Sequence, residues 1–571
     1  MITKNIKNIA LTLAAGCGLA TLTTSCSDFL DILPMNDVVL ENYWTEKGDV
    51  ISVRNSCYES LESADAMNRI GLWGELRSDN LFAGANVPNE VNEILKENLL
   101  PSNPYCNWSK IYECINRCNT VCHYAPQVQK IDPNYSEADM KADVAEVSAL
   151  RALCYFYLIR TFRDVPYTRE PSIDDTQNFI LPATPFNDVL DSLIQNLESV
   201  KGDAVRRYQQ ERISGNYFTL PVENTSRITR IAIYALLADL YLWKQDYDNA
   251  IRYADMVINY KTEQYETLKE AVGDIKEIQP IDSIPLILES PDGSGNICGN
   301  TYNTIFGDGN SFESIFELYF SNSQGQSNAW VRDSYGSSST PNGRLKANEL
   351  TFTSLENVVT NKNQLYRSSD GRFYEFFRSS GSAVYVGKYV LSSVRYQTRN
   401  LTSESSLQLT TSTRGSNTAP WIFYRLTEML LIKAEALVER GLPGDFEEAF
   451  KLVNIVNKRA NNLTVTLKKD DYINSKNEMA NLVLDERRRE FMFEGKRWYD
   501  LVRRSRRDGN TAYLVSAVKS KYESKDANAI SIKMADMNII YFPYAKNELK
   551  VNPLLVQNPA FTNGEDSQYQ R

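Results

Sequence analysis

Two helical hairpins built on the same joint are the feature of this sequence that most restricts its fold. Apolar residues recur every three or four positions in 228–260, where Asp246 separates two helix-like faces. The same pattern returns in 426–453, where Asp445 follows a Gly-rich break and is expected to cap the second helix. Small residues beside both joints let the paired helices approach closely, as in tetratricopeptide repeats. The sequence therefore predicts stacked helical hairpins, which give repeat proteins an extended surface.

The rest of the chain contains a further helix pair and a loop-rich insert. Residues 107–124 and 144–163 form another pair of helical patterns. Between 271 and 415 the sequence is dominated by Pro, Gly, Ser, Thr and Asn, with short strand-like runs at 314–320 and 383–396. We therefore expect a mainly α fold in which tetratricopeptide-like helical hairpins carry a loop-rich insert with short β-strands.

The first 26 residues have the pattern of a lipoprotein signal peptide. Two lysines precede an apolar stretch over 9–22, and small residues then lead to Cys26. In bacterial lipoproteins the cysteine after the cleavage site carries the lipid, and two or three acyl chains hold a protein firmly to a membrane. Cys17 follows a tidier small-residue motif but a shorter apolar stretch, so it is the second candidate. We expect residues 1–25 to be removed and Cys26 to be lipidated.

Composition and charge argue against several classes of function. The formal net charge is −10 at pH 7, whereas nucleic-acid binding requires a basic face. His123 is the only histidine of the chain, which removes most His-dependent nucleophilic sites. Cys114, Cys118 and Cys122 precede it at four-residue spacing and suggest zinc. The last two, however, continue an apolar helix face, and no second histidine completes a site. We expect no metal site and no cofactor.

A strongly charged helical pattern covers residues 485–504, with Phe491 and Trp498 on its inward face. Glu490 and Glu494 suggest a pair of catalytic carboxylates, but arginines stand three or four positions away from both. A neighbouring cation lowers the pKa of a carboxyl group, which is the opposite of what a general acid needs. We therefore expect one amphipathic helix with structural ion pairs. The expected pairs are Arg487–Glu490, Glu494–Arg497 and Asp500–Arg504.

The same segment closely resembles the signature of the SusD/RagB family of Bacteroidetes outer-membrane lipoproteins. The matching residues are Glu486-Arg487-Arg488-Arg489-Glu490-Phe491, Phe493-Glu494-Gly495, Arg497-Trp498, Asp500-Leu501 and Arg503. Further parts of the family pattern follow in the same order along the chain, at Cys26-Ser27-Asp28, 74–80, 108–119, 149–152, 424–436 and Gln557-Asn558-Pro559. Cys118, where the family commonly has a small apolar residue, and the loose lipidation motif are departures from this pattern.

This resemblance implies a fold, a location and a function. Members of the family are surface-exposed outer-membrane lipoproteins with a tetratricopeptide-rich α-fold. They sit as a lid on a SusC-like, TonB-dependent transporter and hand it a captured oligosaccharide, or in some members a peptide. The resemblance therefore implies a glycan-binding protein and not an enzyme. The alternatives are a peptide-capturing RagB-type lipoprotein and a glycoside hydrolase with two carboxylates, for which the sequence indicates no pair.

The resemblance also places the ligand on loops, partly after Ser78-Asp79-Asn80 and partly in the insert. Aromatic faces stack on the apolar faces of sugar rings, and polar side chains bind the hydroxyl groups. We therefore predict a glycan site formed by Trp330, Tyr335, Tyr302, Phe82 and Asn86.

The expected division of the chain follows these patterns. The N-terminal helical region covers 26–270, and the C-terminal region covers 271–571 with the insert 271–415, helices over 420–505 and an irregular tail. Trp73 and Trp108 lie in helical stripes and are expected in the core.

Overall fold

The computed structural model describes residues 43–173, 180–291, 297–299, 301–337, 339–340, 342–348, 365–367, 369–381, 383–396, 409–463 and 465–562. The predicted signal peptide and Cys26 lie outside these residues. In the part of the chain that is described, no helix is both long enough and apolar enough to cross a bilayer.

The protein is mainly α-helical, as predicted. Its described helices are α1 (Lys47–Glu62), α2 (Ala64–Glu75), α3 (Asn89–Leu95), α4 (Ser109–Ile131), α5 (Glu137–Phe162), α6 (Phe186–Val200), α7 (Glu223–Ser226), α8 (Arg230–Lys244), α9 (Tyr247–Val272), α10 (Thr301–Asn303), α11 (Gly371–Phe376), α12 (Leu426–Arg440), α13 (Asp445–Ala460), α14 (Lys476–Phe491), α15 (Arg497–Asp508), α16 (Ala512–Lys519), α17 (Ser524–Lys533) and α18 (Lys546–Val551).

The hairpin of α8 and α9 confirms the first predicted joint. Helix α8 ends at Lys244, and the next residue, Gln245, has a φ of 64° that turns the chain. The Asp246 side chain then caps α9 by accepting the backbone N–H of Asn249 at 3.2 Å. Ala238 and Ala250 are fully buried between the two helices, so the small side chains allow the close approach that the pattern predicted.

The second hairpin, α12 and α13, forms as predicted, but its joint is capped differently. Gly444, with a φ of 88°, occupies the position before the helix. Asp445 is the first helical residue, and its carboxylate accepts the backbone N–H of Leu442 at 2.9 Å and pairs with Arg440 at 2.8 Å. Asp445 therefore closes the turn between the helices and does not cap α13 as expected.

The third pair, α4 and α5, is confirmed and is longer than predicted. Cys114 and Cys118 are buried against neighbouring helices, whereas His123 is exposed. Cys122 is partly buried, with its sulfur 3.7 Å from the hydroxyl of Ser148. These thiols therefore act as small packing groups of the helix pair. Among the described residues no group of His, Cys, Asp and Glu has the arrangement of a metal site.

The charged segment 485–504 forms two helices and not one, so the prediction of a single helix is wrong. Helix α14 ends at Phe491 and α15 begins at Arg497. Between them Phe493 and Gly495 both have a φ of 69°, which reverses the chain. Gly74 of α2 lies against this turn so closely that a Cβ there would be 1.7 Å from the Gly495 carbonyl oxygen. The inward-facing residues recur at helical spacing on both sides of this turn, so periodicity alone does not reveal that the helix is interrupted.

The C-terminal tail is also more regular than predicted, because α16, α17 and α18 lie in it. These helices are shorter than the window over which apolar periodicity identifies a helix. Around Gln557 the tail is irregular, as expected: the Gln557 side chain accepts the backbone N–H of Tyr544 at 2.9 Å and donates to the carbonyl oxygen of Tyr544 at 2.9 Å.

The strands of the described residues are short and pair antiparallel in small sheets, and they confirm the strand-like runs of the insert. The described strands are β1 (Leu81–Ala83), β2 (Val165–Pro166), β3 (Ala183–Thr184), β4 (Arg212–Ser214), β5 (Tyr217–Thr219), β6 (Ile278–Ile281), β7 (Ile284–Ile287), β8 (Ser290–Pro291), β9 (Ile297–Cys298), β10 (Ser314–Leu318), β11 (Leu345–Ala347), β12 (Phe377–Ser380), β13 (Ala383–Val386), β14 (Leu391–Tyr396), β15 (Leu409–Thr413) and β16 (Trp421–Arg425).

The core is continuous from α1 to the C-terminal tail and is rich in aromatic side chains. Trp73 and Trp108 belong to it with exposures of 0% and 4%, which confirms their prediction as core residues. Both rings meet Phe162 edge to face, at 5.3 and 5.1 Å between centroids. Contacts of this kind join the helix pairs through aromatic rings.

Candidate ligand-binding surface

A four-stranded antiparallel sheet joins the loop after Ser78-Asp79-Asn80 to the insert. Its strand order is β1-β11-β13-β12, so the strand that contains Phe82 lies beside three strands of the insert. The side chain of Asn348 extends this contact by donating to the Asp79 carbonyl oxygen at 2.8 Å. The two segments in which the sequence placed the ligand site are therefore neighbours in the fold.

One row of side chains crosses all four strands of this sheet. Phe82 pairs with Lys346, Lys346 pairs with Tyr385, and Tyr385 pairs with Arg378. Residues paired across antiparallel strands project from the same face and lie side by side. The row therefore alternates an aromatic and a basic residue across the sheet. We call Phe82, Lys346, Tyr385 and Arg378 the cross-strand row.

The cross-strand row lies on the outer face of the sheet. Side chains alternate between the two faces of a strand. Leu81, Leu345 and Val386, which project from the opposite face, are fully buried or nearly so. Phe82, Lys346 and Arg378 are partly exposed, and Tyr385 between them is 8% exposed.

Polar groups border the row on the β12 side. The guanidinium of Arg378 lies 5.9 Å from the ring centroid of Tyr385 and donates through Nη2 to the side-chain oxygen of Asn342 at 2.7 Å. The Asn342 amide in turn donates to the Ser380 hydroxyl at 3.1 Å. Asn342 is exposed, so amide, hydroxyl and guanidinium groups all border the surface where a ligand would lie.

The loop that follows β1 completes the other side of the surface. The backbone N–H of Gly84 donates to the carbonyl oxygen of Arg344 at 2.8 Å, which continues the pairing beyond Ala83. Asn86 has a φ of 59° at the exposed tip of this loop. Phe82 and Asn86 thus lie at an accessible edge of the sheet, and their role in ligand binding stays a prediction.

The prediction that Trp330 is a stacking platform does not fit its position. Its side chain is 2% exposed. A Cβ at Gly71 of α2 would lie 2.4 Å from the Trp330 ring, so the face of the indole is covered by the backbone of that helix. The Ser and Asn residues before Trp330 suggested an exposed loop, but Asn328 is fully buried and its amide donates to the Ala419 carbonyl oxygen at 3.0 Å.

Tyr335 and Tyr302 are likewise in the core, with exposures of 0% and 2%. The Tyr335 hydroxyl donates to the Phe493 carbonyl oxygen at 2.9 Å. The Tyr302 hydroxyl donates to Glu490 at 3.2 Å. Neither ring offers a face to a ligand in this arrangement, which corrects the prediction for these two residues.

The buried aromatic residues support the surface from below. Gly343 approaches the end of the turn Val331–Tyr335 so closely that a Cβ would lie 2.3 Å from the Tyr335 carbonyl carbon. The next residue, Arg344, carries the carbonyl group that holds Gly84. The turn Val331–Tyr335 therefore packs against the chain that leads into β11, and so helps to position the outer face.

Sequence reasoning missed Lys346, Tyr385 and Arg378. The runs that contain Tyr385 and Arg378 carry a strand signal, and 383–396 was identified from it. The sequence does not indicate that these strands pair with each other and with β1. An alternation of aromatic and basic residues becomes visible only when the register is known.

Glu490 is the centre of a buried ion-pair network, as predicted. It accepts hydrogen bonds from Arg372 at 3.1 Å, from Arg425 at 2.7 Å and from Arg459. Burial by itself raises the pKa of Glu490, but the charges of Arg459, Arg425 and Arg372 outweigh it and hold the pKa well below its usual range. Glu490 is therefore ionised and occupied by protein cations.

Glu494 has a similar environment. It binds Arg425 at 2.8 Å and the ammonium group of Lys388 at 2.6 Å. Burial raises the pKa of Glu494, but the positive charges of Arg425 and Lys388 have the larger effect, so its pKa lies below the usual value. All of these side chains are completely enclosed, so the network stabilises the junction of the insert with α14.

The network uses different partners from those that helical spacing predicted. Arg487 binds Asp500 at 2.9 Å, and Arg497 binds Asp79 at 2.9 Å. Arg504 binds Asp508 at 2.6 Å. For Arg487 and Arg497 the break between α14 and α15 is the reason, because it directs these two side chains toward other elements. Arg504 instead pairs one turn further along its own helix.

A second concave region lies between the insert and α13 and α14. It is a polar cavity of about 370 Å³. Tyr472 is its aromatic residue, and the Tyr472 ring stacks against Phe450 with centroids 6.3 Å apart. The remaining lining is mainly charged or amide side chains, including Arg367, Asp471 and Glu478. The outer face of the sheet, by comparison, carries two aromatic residues, Phe82, which is partly exposed, and Tyr385, which is 8% exposed.

Comparisons with known proteins agree with this architecture. Residues 312–561 match the family model of the SusD family. SusD-like protein P38 of Formosa agariphila is 25% identical over 515 residues, covering 88% of this chain and 92% of that protein. A SusD superfamily protein from Bacteroides thetaiotaomicron superposes with a TM-score of 0.64 at 19% identity, over 91% of this chain and 99% of the other.

A similar superposition is obtained with surface glycan-binding protein A from Bacteroides uniformis. The TM-score is 0.62 at 19% identity, and the match covers 90% of this chain and all of the other, 100%. At these identities the superpositions establish the fold.

Proposed function

The chain belongs to the SusD family, and from this premise we propose that it is a surface lipoprotein of the outer membrane that binds oligosaccharides. In this proposal Cys26 carries the lipid anchor, and the captured glycan passes to a SusC-like, TonB-dependent transporter. The protein acts by binding, without chemical conversion of the ligand. Its glycan lies on the outer face of the four-stranded sheet, in contact with Phe82 and with the loop of Asn86.

The observation that carries the proposal is the cross-strand row. A glycan site needs aromatic rings for the apolar faces of sugars and polar groups for their hydroxyls. Phe82 supplies an accessible ring, while Asn342 and Ser380 supply an amide and a hydroxyl on the same face. Surface glycan-binding protein A, which shares the fold, is named for glycan binding.

The network around Glu490 and Glu494 supports a binding role over hydrolysis. A glycosidase needs one carboxyl group of raised pKa close to a second carboxylate at the site of the scissile bond. Both of these glutamates are enclosed, paired with cations and held at lowered pKa values. They are therefore unsuited to act as general acids.

Affinity electrophoresis of the purified protein in gels with plant, host and microbial polysaccharides tests the proposal. We expect retardation by one family of glycans and no release of reducing ends. Phe82→Ala should weaken retardation at least tenfold. Tyr217→Ala removes an exposed aromatic ring of β5, which is 80% exposed, and serves as the matched control with unchanged retardation.

Three other results would contradict parts of this proposal. Binding to a peptide pool without binding to any polysaccharide would favour peptide capture. Release of reducing ends would identify a hydrolase. Retardation that survives Phe82→Ala but is lost on Asp471→Ala would keep glycan binding and place it in the polar cavity beside Tyr472.

The transporter can be tested separately in the native membrane. Affinity purification of the lipidated protein from solubilised outer membranes should recover a TonB-dependent barrel in stoichiometric amount. Recovery of the protein alone, under conditions that preserve other membrane complexes, would contradict the proposed partnership.

A further inference from the structure

We infer that the polar cavity beside Tyr472 is a second ligand-binding site, which takes a sugar that carries a protonated amino group. The amino group would lie among the carboxylates of Asp471, Glu478 and Asp485, with the sugar ring against Tyr472. The lining of the cavity and the cross-strand row have no residue in common. The inference therefore adds a site to the proposed function, and the two can fail separately.

The cavity has the size and the walls of a small-ligand site. Its volume of about 370 Å³ lies within the usual range of roughly 300–1,000 Å³. Helices α13 and α14 and the chain around the turn Lys469–Asp471 contribute lining residues, and Leu365, Arg367 and Asp370 of the insert complete it. The chain before this turn is held to α13, because the backbone N–H of Leu467 donates to the Asn454 side chain at 3.2 Å.

The lining carries an excess of negative charge. Four acidic and two basic residues line the cavity, which leaves two negative charges in excess. Asp370 and Arg489 are each bound by a residue outside the lining, Asp370 by Arg372 at 2.8 Å and Arg489 by Glu486 at 2.8 Å. Arg367 then offsets only one of the three remaining carboxylates. The cavity therefore presents a negative potential, which attracts a cation.

The three carboxylates have no cation of the protein as a partner. In the part of the chain that the structure describes, Asp471, Glu478 and Asp485 are exposed and form no ion pair. Lys476, in the first turn of α14, binds Glu439 at 3.0 Å instead. The described acidic side chains also form no group that could hold a metal ion. A cation that contacts more than one of these carboxylates is therefore larger than a metal ion, as an organic ammonium group is.

A buried amide in the wall of the cavity also lacks a partner. Asn457 lines the cavity and is 6% exposed. Its Oδ1 atom accepts no hydrogen bond from the described residues. A buried acceptor without a donor destabilises a fold, and most such groups are bound by protein, water or ligand. An N–H or O–H group of a sugar in the cavity would supply the missing donor.

Tyr472 provides the ring that a sugar needs. It is partly exposed, and it stacks against Phe450 with an angle of 27° between the rings. Aromatic faces bind the apolar faces of sugars and also attract cations. A neutral sugar would leave the excess charge unused. A lysine side chain would place its aliphatic stem in a cavity whose aliphatic lining is only Leu365, Leu467 and Leu482. An amino sugar matches the ring, the amide and the carboxylates together.

Matched sugars test the class of ligand. Isothermal titration calorimetry at about pH 6 and low salt compares the β1,4-linked trimer of glucosamine with its N-acetylated form and with cellotriose, which have the same backbone without the charge. Galactosamine, N-acetylgalactosamine and galactose form a second series. We expect at least one amine to bind at least tenfold more tightly than its two uncharged counterparts. Its affinity should fall as salt screens the charges.

Variants then locate the binding. Asp471→Asn and Glu478→Gln should each weaken amine binding at least fivefold, and the unfolding temperature should stay the same because both side chains are exposed. Asp470→Asn is the matched control. Asp470 is exposed and belongs to the same turn but does not line the cavity, so its substitution should change affinity less than twofold. Phe82→Ala should also leave amine binding unchanged.

The outcomes separate this inference from the proposed function. Equal affinity for the amine, acetamide and hydroxyl forms, or amine binding that Asp471→Asn and Glu478→Gln leave unchanged, would overturn the inference. Binding of a lysine trimer without binding of either amino sugar would also overturn it. In each of these cases polysaccharide retardation that depends on Phe82 would still support the proposed function. Amine binding without retardation by any polysaccharide would support the inference and contradict the site on the outer face.

Discussion

The backbone N–H of Gly84 donates to the carbonyl oxygen of Arg344 at 2.8 Å, and a Cβ at Gly84 would lie 2.7 Å from that same oxygen. This contact joins the loop that follows β1 to the insert, although the two segments are far apart in the sequence. The place of Phe82 in the cross-strand row therefore depends on the pairing of β1 with β11.

Gly84→Ala should separate these strands. The added methyl group meets backbone atoms that cannot rotate away, and overpacking of this kind costs about 1–3 kcal/mol. We expect a lower free energy of unfolding in denaturant and weaker glycan binding. Gly202→Ala is the matched control, because nothing lies within 4 Å of a Cβ at that position. Unchanged glycan affinity in a folded Gly84→Ala protein would show that the pairing does not shape the site.

Trp330→Ala should lower the stability of the fold, because Trp330 is a core residue and not a ligand contact. The indole is 2% exposed and lies against Gly71, and removing a buried aromatic side chain costs about 3–5 kcal/mol. We expect a large fall in the denaturant midpoint. Tyr217→Ala, at an 80% exposed ring, should change the free energy of unfolding by less than about 0.5 kcal/mol. Loss of glycan binding by a Trp330→Ala protein of unchanged stability would restore Trp330 as a ligand contact.

The helical part of the fold could be read from the sequence because its signals are local. The joints at Asp246 and Asp445 are made by residues adjacent in the chain, and helix periodicity depends on neighbours within two turns. The break at Phe493 and Gly495 was missed because the positive φ of Phe493 is imposed by tertiary contact. Glu75 of α2 accepts the backbone N–H groups of Phe493 and Gly495 at 3.3 and 3.0 Å. The sequence of 485–504 contains no signal for this contact, because Glu75 lies far away in the chain.

The candidate site could be predicted only in outline. The loop of Phe82 and the insert were identified as its two sources, but composition could not tell exposed aromatic residues from buried ones. Trp330 is preceded by Ser and Asn and is nevertheless covered by α2. The cross-strand row depends on strand register, which is set by pairing between distant segments. Lys346 and Arg378 could therefore not be recognised before the structure was known.

Glu490→Gln should destabilise the protein strongly. The substitution removes the one carboxylate that Arg372, Arg425 and Arg459 share, although each keeps a second acidic partner. Breaking a buried ion pair on one side costs about 3–5 kcal/mol. Chemical denaturation at neutral pH measures this loss. Glu137→Gln breaks a surface pair with Lys141, with side-chain exposures of 68% and 48%, and should leave the free energy of unfolding almost unchanged. Equal effects of the two substitutions would contradict a structural role of the network.

Glu75 makes stability depend on pH in the opposite sense from Glu490. Burial raises the pKa of Glu75 to about 7, although Asn80, Gly495 and Phe493 donate hydrogen bonds to it and the charge of Lys388 lowers it. In the unfolded chain a glutamate has a pKa of about 4.3. The folded protein therefore binds this proton more tightly, so the stabilisation is complete below about pH 4 and is lost as the pH rises through about 7.

We expect Glu75→Gln to remove part of the pH dependence of unfolding between pH 5 and 6.5. One proton held only in the folded state corresponds to about 1.4 kcal/mol per pH unit, or about 2 kcal/mol over this window. Lys388, whose pKa burial lowers to about 7, is protonated in both states over most of the window and adds little slope. Glu62 and Glu317 also have pKa values of about 7, so the free energy of unfolding of Glu75→Gln should still fall with rising pH, but less steeply.

Urea denaturation at pH 5.0, 5.5, 6.0 and 6.5 measures the difference between the two proteins. Glu137→Gln is the control, in which the pH dependence of the free energy of unfolding should be unchanged. Identical slopes for the unaltered protein and Glu75→Gln would mean that Glu75 is already ionised in the folded state, held by its backbone donors and by Lys388.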